Sequence, residues 1–311
     1  MDANVRPAAS NAENRSSLAF RLPDGRTLSY AEFGDPNGLP VLAIHGTPGS
    51  RFMFGLTDAA ARERGLRIIA PDRPGYGHSD YRRNPSLMRS AEDLVALVDT
   101  LKTERLAVIG VSGGGPHAVA TASAMLDRVA LLALVSPVGP IAECRKQVRM
   151  SRMHRLIFTR MGRSTPACAS FFWSLRGMVR WAPGVAYRVL QQRVTPTDRF
   201  VLGRSEVEVN LRAAIREGLR PGIKGALQDL RLFCSPWGLP LGEIDVPAVV
   251  WQGSDDTIVP PSAAYHLATK LPNCRLDVIQ QAGHYWGFAN FPRVLDTVTA
   301  ALRSEHQTIN P

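Results

Sequence analysis

The chain has 311 residues, with 37 Lys and Arg against 27 Asp and Glu, a formal net charge of +10. That length supports one large core, or one core carrying an insertion. Its longest apolar run, VALLALVSPV, is about half of what a membrane span needs, and its polar start, MDANVRPAASNAENRSS, holds no apolar stretch of the secretory-signal kind.

Residues 1–17 read as a flexible tail. LAFRL, the turn Pro23-Asp24-Gly25 and RTLSYAEFG then read as a β-hairpin. PVLAIHG (40–46), LRIIAPD (66–72), LAVIGVS (106–112) and VALLALVS (129–136) follow as continuous apolar runs. Runs of this kind suit strands buried on both faces of a parallel sheet. Helical patterns lie between them, near 52–64, 86–103 and 114–127. Strand alternating with helix is the α/β signature.

After Pro137 the rhythm changes. Residues 138–235 hold no clear strand but many arginines and aromatics, including Phe158, broken by prolines. This predicts an inserted helical subdomain, with 18–137 and 236–305 forming the core. Residues 141–235 carry 18 Lys and Arg against 6 Asp and Glu, so the whole positive excess sits there. A solvated arginine-rich face explains it most simply. No nucleic-acid motif accompanies it, so no nucleic acid is expected. Contact with an anionic membrane surface is open to such a segment but not favoured. The α/β rhythm returns with PAVVWQG (247–253), a helix near 261–271, CRLDVIQ (274–280) and a last helix near 291–304. The four cysteines, Cys144, Cys168, Cys234 and Cys274, have neither CxxC nor His-linked spacing. They predict no metal site and reduced thiols, hence a cytoplasmic chain.

One serine stands between glycines where LAVIGVS ends, in Gly110-Val111-Ser112-Gly113-Gly114. A sharp strand-to-helix turn there would lift Ser112 above the carboxyl edge of the sheet, where open α/β folds place ligands. Gly110 and Gly114 would let strand and helix approach. The Gly113 N–H, at the positive end of the next helix, could meet a developing oxyanion. This is the G-x-S-x-G nucleophile-elbow pattern. A phosphate loop would need G-x-x-x-x-G-K-[ST] or G-x-G-x-x-G, and neither is present.

A serine hydroxyl needs a base, and the base an orienting acid. Downstream of Ser112, His117 and His266 sit in helices, His154 in the basic insertion and His306 in the tail. His284, in QQAGHYWGF, falls in a loop directly after a predicted strand and is the candidate base. The loop after PAVVWQG offers Asp255 and Asp256, whose side chains should diverge. Asp256 is favoured as the acid, and Asp255 suits an Asx-turn or cap. The second oxyanion donor should be the Thr47 N–H of HGTPGS, with His45 holding that loop.

Five motifs in this order, HGTPG, PDRPGYGHSD, GVSGG, GSDDTIVP and AGH, make the chain resemble the α/β-hydrolase superfamily over about residues 18–305. The resemblance implies an eight-stranded, mostly parallel sheet flanked by helices, with an inserted helical cap. It implies a catalytic triad of Ser112, Asp256 and His284, with the Thr47 and Gly113 amides as oxyanion hole and no cofactor. It gives Asp72, Arg73 and His78 a structural role. Ser112 argues against the dehalogenases and epoxide hydrolases of this fold, which use an aspartate nucleophile.

The expected activity is carboxylesterase-like: cleavage of a small to medium acyl or aryl ester, or a lactone, through an acyl-enzyme. Carbon–carbon bond hydrolysis and cofactor-free perhydrolysis use the same triad. A proline iminopeptidase would want a second glycine where Thr47 stands. A ligand receptor with little turnover is the reading from another class. The expected partner is a small ester-like molecule; oligomeric state stays open. Phe171, Phe172, Trp173 and Met178 are candidates for an apolar acyl pocket or for the insertion's own core, and Tyr285 and Trp286 for a pocket wall.

Overall fold

A computed structural model describes residues 15–143 and 165–309. The tail to residue 14, Cys144, His154, Phe158 and the His306 side chain lie outside the described residues. Eight strands form one sheet: β1 (Leu18–Arg21), β2 (Thr27–Gly34), β3 (Leu39–Ile44), β4 (Leu66–Pro71), β5 (Leu106–Val111), β6 (Val129–Val135), β7 (Ala248–Gly253) and β8 (Cys274–Ile279). Their spatial order is β1-β2-β4-β3-β5-β6-β7-β8. The sheet is mixed: β1–β2 and β2–β4 pair antiparallel, and the other pairs are parallel.

The central strands read as unbroken apolar runs because each feeds two cores. Along β5, Leu106 and Val108 enter one buried cluster while Ala107, Ile109 and Val111 enter the other. Successive side chains point to opposite faces, so both sets must be apolar. The first core is covered by α2 (Leu87–Thr100), α3 (Gly115–Ala124) and, later in the chain, a helix over Pro261–Lys270. The second is covered by α1 (Asp58–Glu63) and the C-terminal helix.

Between β6 and β7, the described residues form five α-helices, a short 3₁₀ turn (Leu241–Glu243) and no strand: α4 (Thr165–Trp181), α5 (Pro183–Gln192), α6 (Pro196–Leu202), α7 (Ser205–Gly218) and α8 (Lys224–Phe233). Proline opens α5 and α6, where its missing N–H costs nothing. After β7 come α9 (Pro261–Lys270), β8 and α10 (Trp286–Ile309). Two expected boundaries shift. The segment near 52–64 is a 3₁₀ helix, Arg51–Thr57, running into α1. The last helix starts at Trp286, not near 291, and kinks at Asn290, two residues before Pro292. Pro292 has no N–H to give to the carbonyl four residues back, and its ring crowds that carbonyl, so the helix bends in the turn before it.

Among the described residues no helix is long and apolar enough to cross a membrane. No group of three His, Cys, Asp or Glu gathers as a metal would require, again among the described residues. Cys168, Cys234 and Cys274 form no disulfide with one another.

Candidate active site

β5 delivers Ser112 to the carboxyl edge of the sheet, and a short 3₁₀ turn (Ser112–Gly114) runs straight into α3. Ser112 has φ 52°, a left-handed value that a serine adopts at a cost. The turn is as crowded as the sequence implies. A Cβ on Gly110 would sit 2.6 Å from the Ala118 Cβ, and one on Gly114 would sit 2.2 Å from the Ile44 carbonyl oxygen. Only hydrogen fits at either position.

Three strand ends meet above this turn. The Ser112 hydroxyl lies 2.9 Å from His284 Nε2, and His284 Nδ1 lies 2.7 Å from Asp256 Oδ2. The carboxylate only accepts, so Nδ1 carries the proton and Nε2 is left to accept from the serine hydroxyl. Asp256 Oδ1 also accepts from the Ile258 and Val259 amides, and Oδ2 from the Gln252 side chain. Asp255 is exposed, accepts from Ser254 and takes no part in the contact. Burial opposes a charge on His284, but the Asp256 carboxylate and its hydrogen bond outweigh it. Asp198 adds to that attraction, and the imidazole is held above its ordinary pKa.

Thr47 lies beside Gly113: a Cβ on that glycine would sit 2.4 Å from Thr47 Oγ1. The Thr47–Pro48 peptide is cis. His45 holds the loop from below, its Nδ1 2.8 Å from the Gly46 carbonyl and its Nε2 accepting from the Arg73 amide. Burial, then the Arg73 charge, pushes His45 down to about 3, so it stays neutral. Asp72 braces the neighbouring turn, accepting from Arg51, Ser29 and the His78 amide.

Two carboxylates that sequence reasoning passed over also reach this site from the insertion. Asp229, on α8, accepts from Arg73 at 2.6 Å, Tyr76 at 2.5 Å and Thr47 Oγ1 at 2.5 Å. His117 Nε2 lies 3.2 Å away. Burial resists the Asp229 charge, but Arg73 and His117 hold its carboxyl well below the usual range. Asp198, on α6, accepts from the His284 and Tyr285 amides. The Asp198 sequence, TPTD, carries only a helix-start signal, and nothing local marks Asp229.

A cavity of about 180 Å³ opens over Ser112, His284, Thr47 and Tyr285. Its far wall is apolar, with Leu175, Val179, Tyr187, Leu211, Ile215 and Phe288. The lining cation is Arg212, whose guanidinium is 2.8 Å from Glu208. Of the expected pocket residues, Tyr285 lines this cavity and the others do not. The inward stripe of α4 is Cys168, Phe172, the half-buried Leu175 and Val179, at helical spacing, and its last turns form the wall. Phe172 is buried one turn too early, in the cluster that also holds Phe233 and Leu230. Phe171 and Trp173 flank the stripe and are exposed, and Met178 does not line the cavity. Trp286 turns away from Tyr285 into the core below the sheet, with Trp251 and Phe291.

A family model described as "Alpha/beta hydrolase family" matches residues 41–297. The chain belongs to the alpha/beta hydrolase family. This alpha/beta hydrolase is 28% identical over 265 residues to an uncharacterized hydrolase of Bacillus subtilis (strain 168), covering 84% of this chain and 89% of the relative. It is 27% identical over 281 residues to the 2-hydroxymuconate semialdehyde hydrolase of Pseudomonas putida, covering 86% and 90%. Among solved structures, a thermophilic esterase from Thermogutta terrifontis superposes with a TM-score of 0.64 at 24% identity, covering 95% of this chain and 99% of that one. That last likeness speaks to the fold alone.

Proposed function

We propose that this hydrolase is a serine carboxylesterase that cleaves a small to medium acyl or aryl ester through an acyl-enzyme. The observation that carries the reading is the hydrogen-bonded chain from Ser112 Oγ through His284 to Asp256, at 2.9 and 2.7 Å. Its serine stands on a strained turn at the floor of an apolar cavity. The cavity is below the ~300–1,000 Å³ of pockets that hold drug-sized ligands, which favours a modest substrate. Residues 138–235 act as a cap, with Leu175, Val179 and Tyr187 as acyl-pocket wall.

In this reading, His284 Nε2 takes the Ser112 proton as the hydroxyl attacks the ester carbonyl. The Thr47 and Gly113 amides hold the tetrahedral oxyanion. His284 gives the proton to the departing alcohol, then takes one from water as that water attacks the acyl carbonyl, and returns it to Ser112 Oγ as the C–O bond to the serine breaks and the acid leaves. Asp256 keeps the ring in the required tautomer and stabilises its charged form. These steps need no metal or organic cofactor.

A second reading, hydrolysis of a carbon–carbon bond beside a ketone, is favoured by one observation: a relative matched over 86% of this chain is a 2-hydroxymuconate semialdehyde hydrolase. The test is intact mass after a fluorophosphonate probe, beside a Ser112→Ala control, followed by ester and diketone panels. One adduct on the parent and none on the variant is expected, with turnover of esters. Turnover of diketones alone would replace the ester reading. No adduct on folded parent would sink the serine-hydrolase reading and leave a ligand receptor.

A further inference from the structure

Both oxygens of Asp198 are committed to the loop that carries His284. Oδ2 accepts from the His284 amide at 2.9 Å, and Oδ1 accepts from the Tyr285 amide at 2.7 Å. The carboxylate comes from α6 of the insertion, 86 positions away in sequence, and is 1% exposed. Thr195 caps the start of that helix by accepting from the Asp198 amide at 3.2 Å, which fixes the residue's own backbone. Gly283 leaves the space: a Cβ there would lie 2.1 Å from Asp198 Oδ2. A carboxylate, a missing Cβ and two adjacent amides thus fit one arrangement.

The imidazole of His284 must satisfy two partners at once, and its ring is anchored by one loop between β8 and α10. Two backbone N–H groups pinned to one buried carboxylate remove most of that loop's freedom. We infer that Asp198 is a positioning residue: it fixes the His284 loop from the insertion, so that the base reaches Ser112 only when the insertion is seated. This rests on the serine-hydrolase reading above.

Charge follows the same geometry. Asp198 faces His284, Tyr285 and, further off, Asp256, and Tyr187 of α5 stands near Tyr285. Burial raises the Asp198 carboxyl, against the pull of the Tyr285 and His284 amides and the His284 ring. Both oxygens accept, as an ionised carboxylate does. Its negative charge then supports the imidazolium, alongside that of Asp256. Removing it should lower the pH at which His284 titrates.

The test compares the parent with Asp198→Asn, Asp198→Ala, Gly283→Ala and the Asp198→Ala/Gly283→Ala double variant. Two quantities are read: the rate of fluorophosphonate labelling at Ser112 by intact mass, and the His284 titration by ¹⁵N NMR. A misplacement of about 1 Å in a reacting group costs on the order of 100-fold, so labelling should slow about 10- to 100-fold in each single variant. The double variant should be no slower than Asp198→Ala, because Gly283→Ala acts only by displacing that carboxylate. The His284 midpoint should fall in both Asp198 variants. Parental labelling with an unmoved midpoint would overturn the inference while leaving the hydrolase reading intact. So would a lower melting temperature with neither readout changed. If Asp198→Ala does not fold, Asp198→Asn and Gly283→Ala carry the same comparison. A parent that takes no adduct fails the hydrolase reading itself, and the inference with it.

Discussion

Replacing Asp229 by alanine would strip one buried carboxylate from four partners: Arg73, His117, Tyr76 and Thr47. The Arg73 and Asp229 side chains are 1% and 2% exposed, so the surviving guanidinium could not reach water. Leaving one member of a buried pair uncompensated costs about 3–5 kcal/mol. Unfolding entropy of about 2.1 cal/mol/K per residue gives about 0.65 kcal/mol/K for this chain, so the melting temperature should fall by about 5–8 °C. The assay is a thermal melt at pH 7 beside the double variant Arg73→Met/Asp229→Leu, which removes both charges and should recover much of the loss. The folded Asp229 carboxyl is held well below its unfolded value. Its contribution is therefore complete above the unfolded Asp value, about 3.9, and fades as pH falls toward the folded one. The gap between parent and variant should narrow only in that acid range. A single variant that melts within about 1 °C of the parent at pH 7 would refute the buried-pair reasoning.

Other perturbations test the site from different sides. Asp256→Asn should lower kcat by about 10⁴-fold at little cost in KM, because the amide no longer enforces the Nδ1–H tautomer; steady-state rates on an ester check it. His284 is held above its ordinary value, so the acid limb of kcat/KM should lie above about 6.5, activity being lost as pH falls and the base is protonated. A limb below that value would contradict the electrostatics described. Ala186 lines the cavity near Tyr187, so Ala186→Trp should depress kcat/KM more for long acyl esters than for acetates. Equal losses across the acyl series would place the acyl group elsewhere.

The parts legible in sequence are those with local signals. β5 shows itself by an apolar run that must fill two cores, and its end by glycines that two close approaches require. Ser112, Asp256 and His284 each follow a recognisable strand, and the structure brings the three into contact. The cavity wall was not legible, because aromatic identity is a poor guide to helix phase. Phe171 and Trp173 stand out by composition, yet the stripe through Phe172, Leu175 and Val179 decides which face is buried. Trp286 fails for a similar reason: α10 begins there and turns its side chain from the site toward Phe291. Asp198 and Asp229 have partners 86 and 156 positions away, and no local pattern reports such contacts.

Those two aspartates change how the insertion's charge is read. Residues 141–235 hold six acidic groups against 18 basic ones, and three of the six turn toward the core. Asp198 holds the His284 loop, Asp229 holds the Arg73 and Thr47 side, and Glu217 lies 2.9 Å from Arg51. These three acids are thus used in contacts that seat the insertion on the core. Two buried carboxylates from one insertion reach both sides of Ser112, the base loop and the HGTPG loop. Motion of the insertion that released either would loosen an element that the proposed chemistry needs.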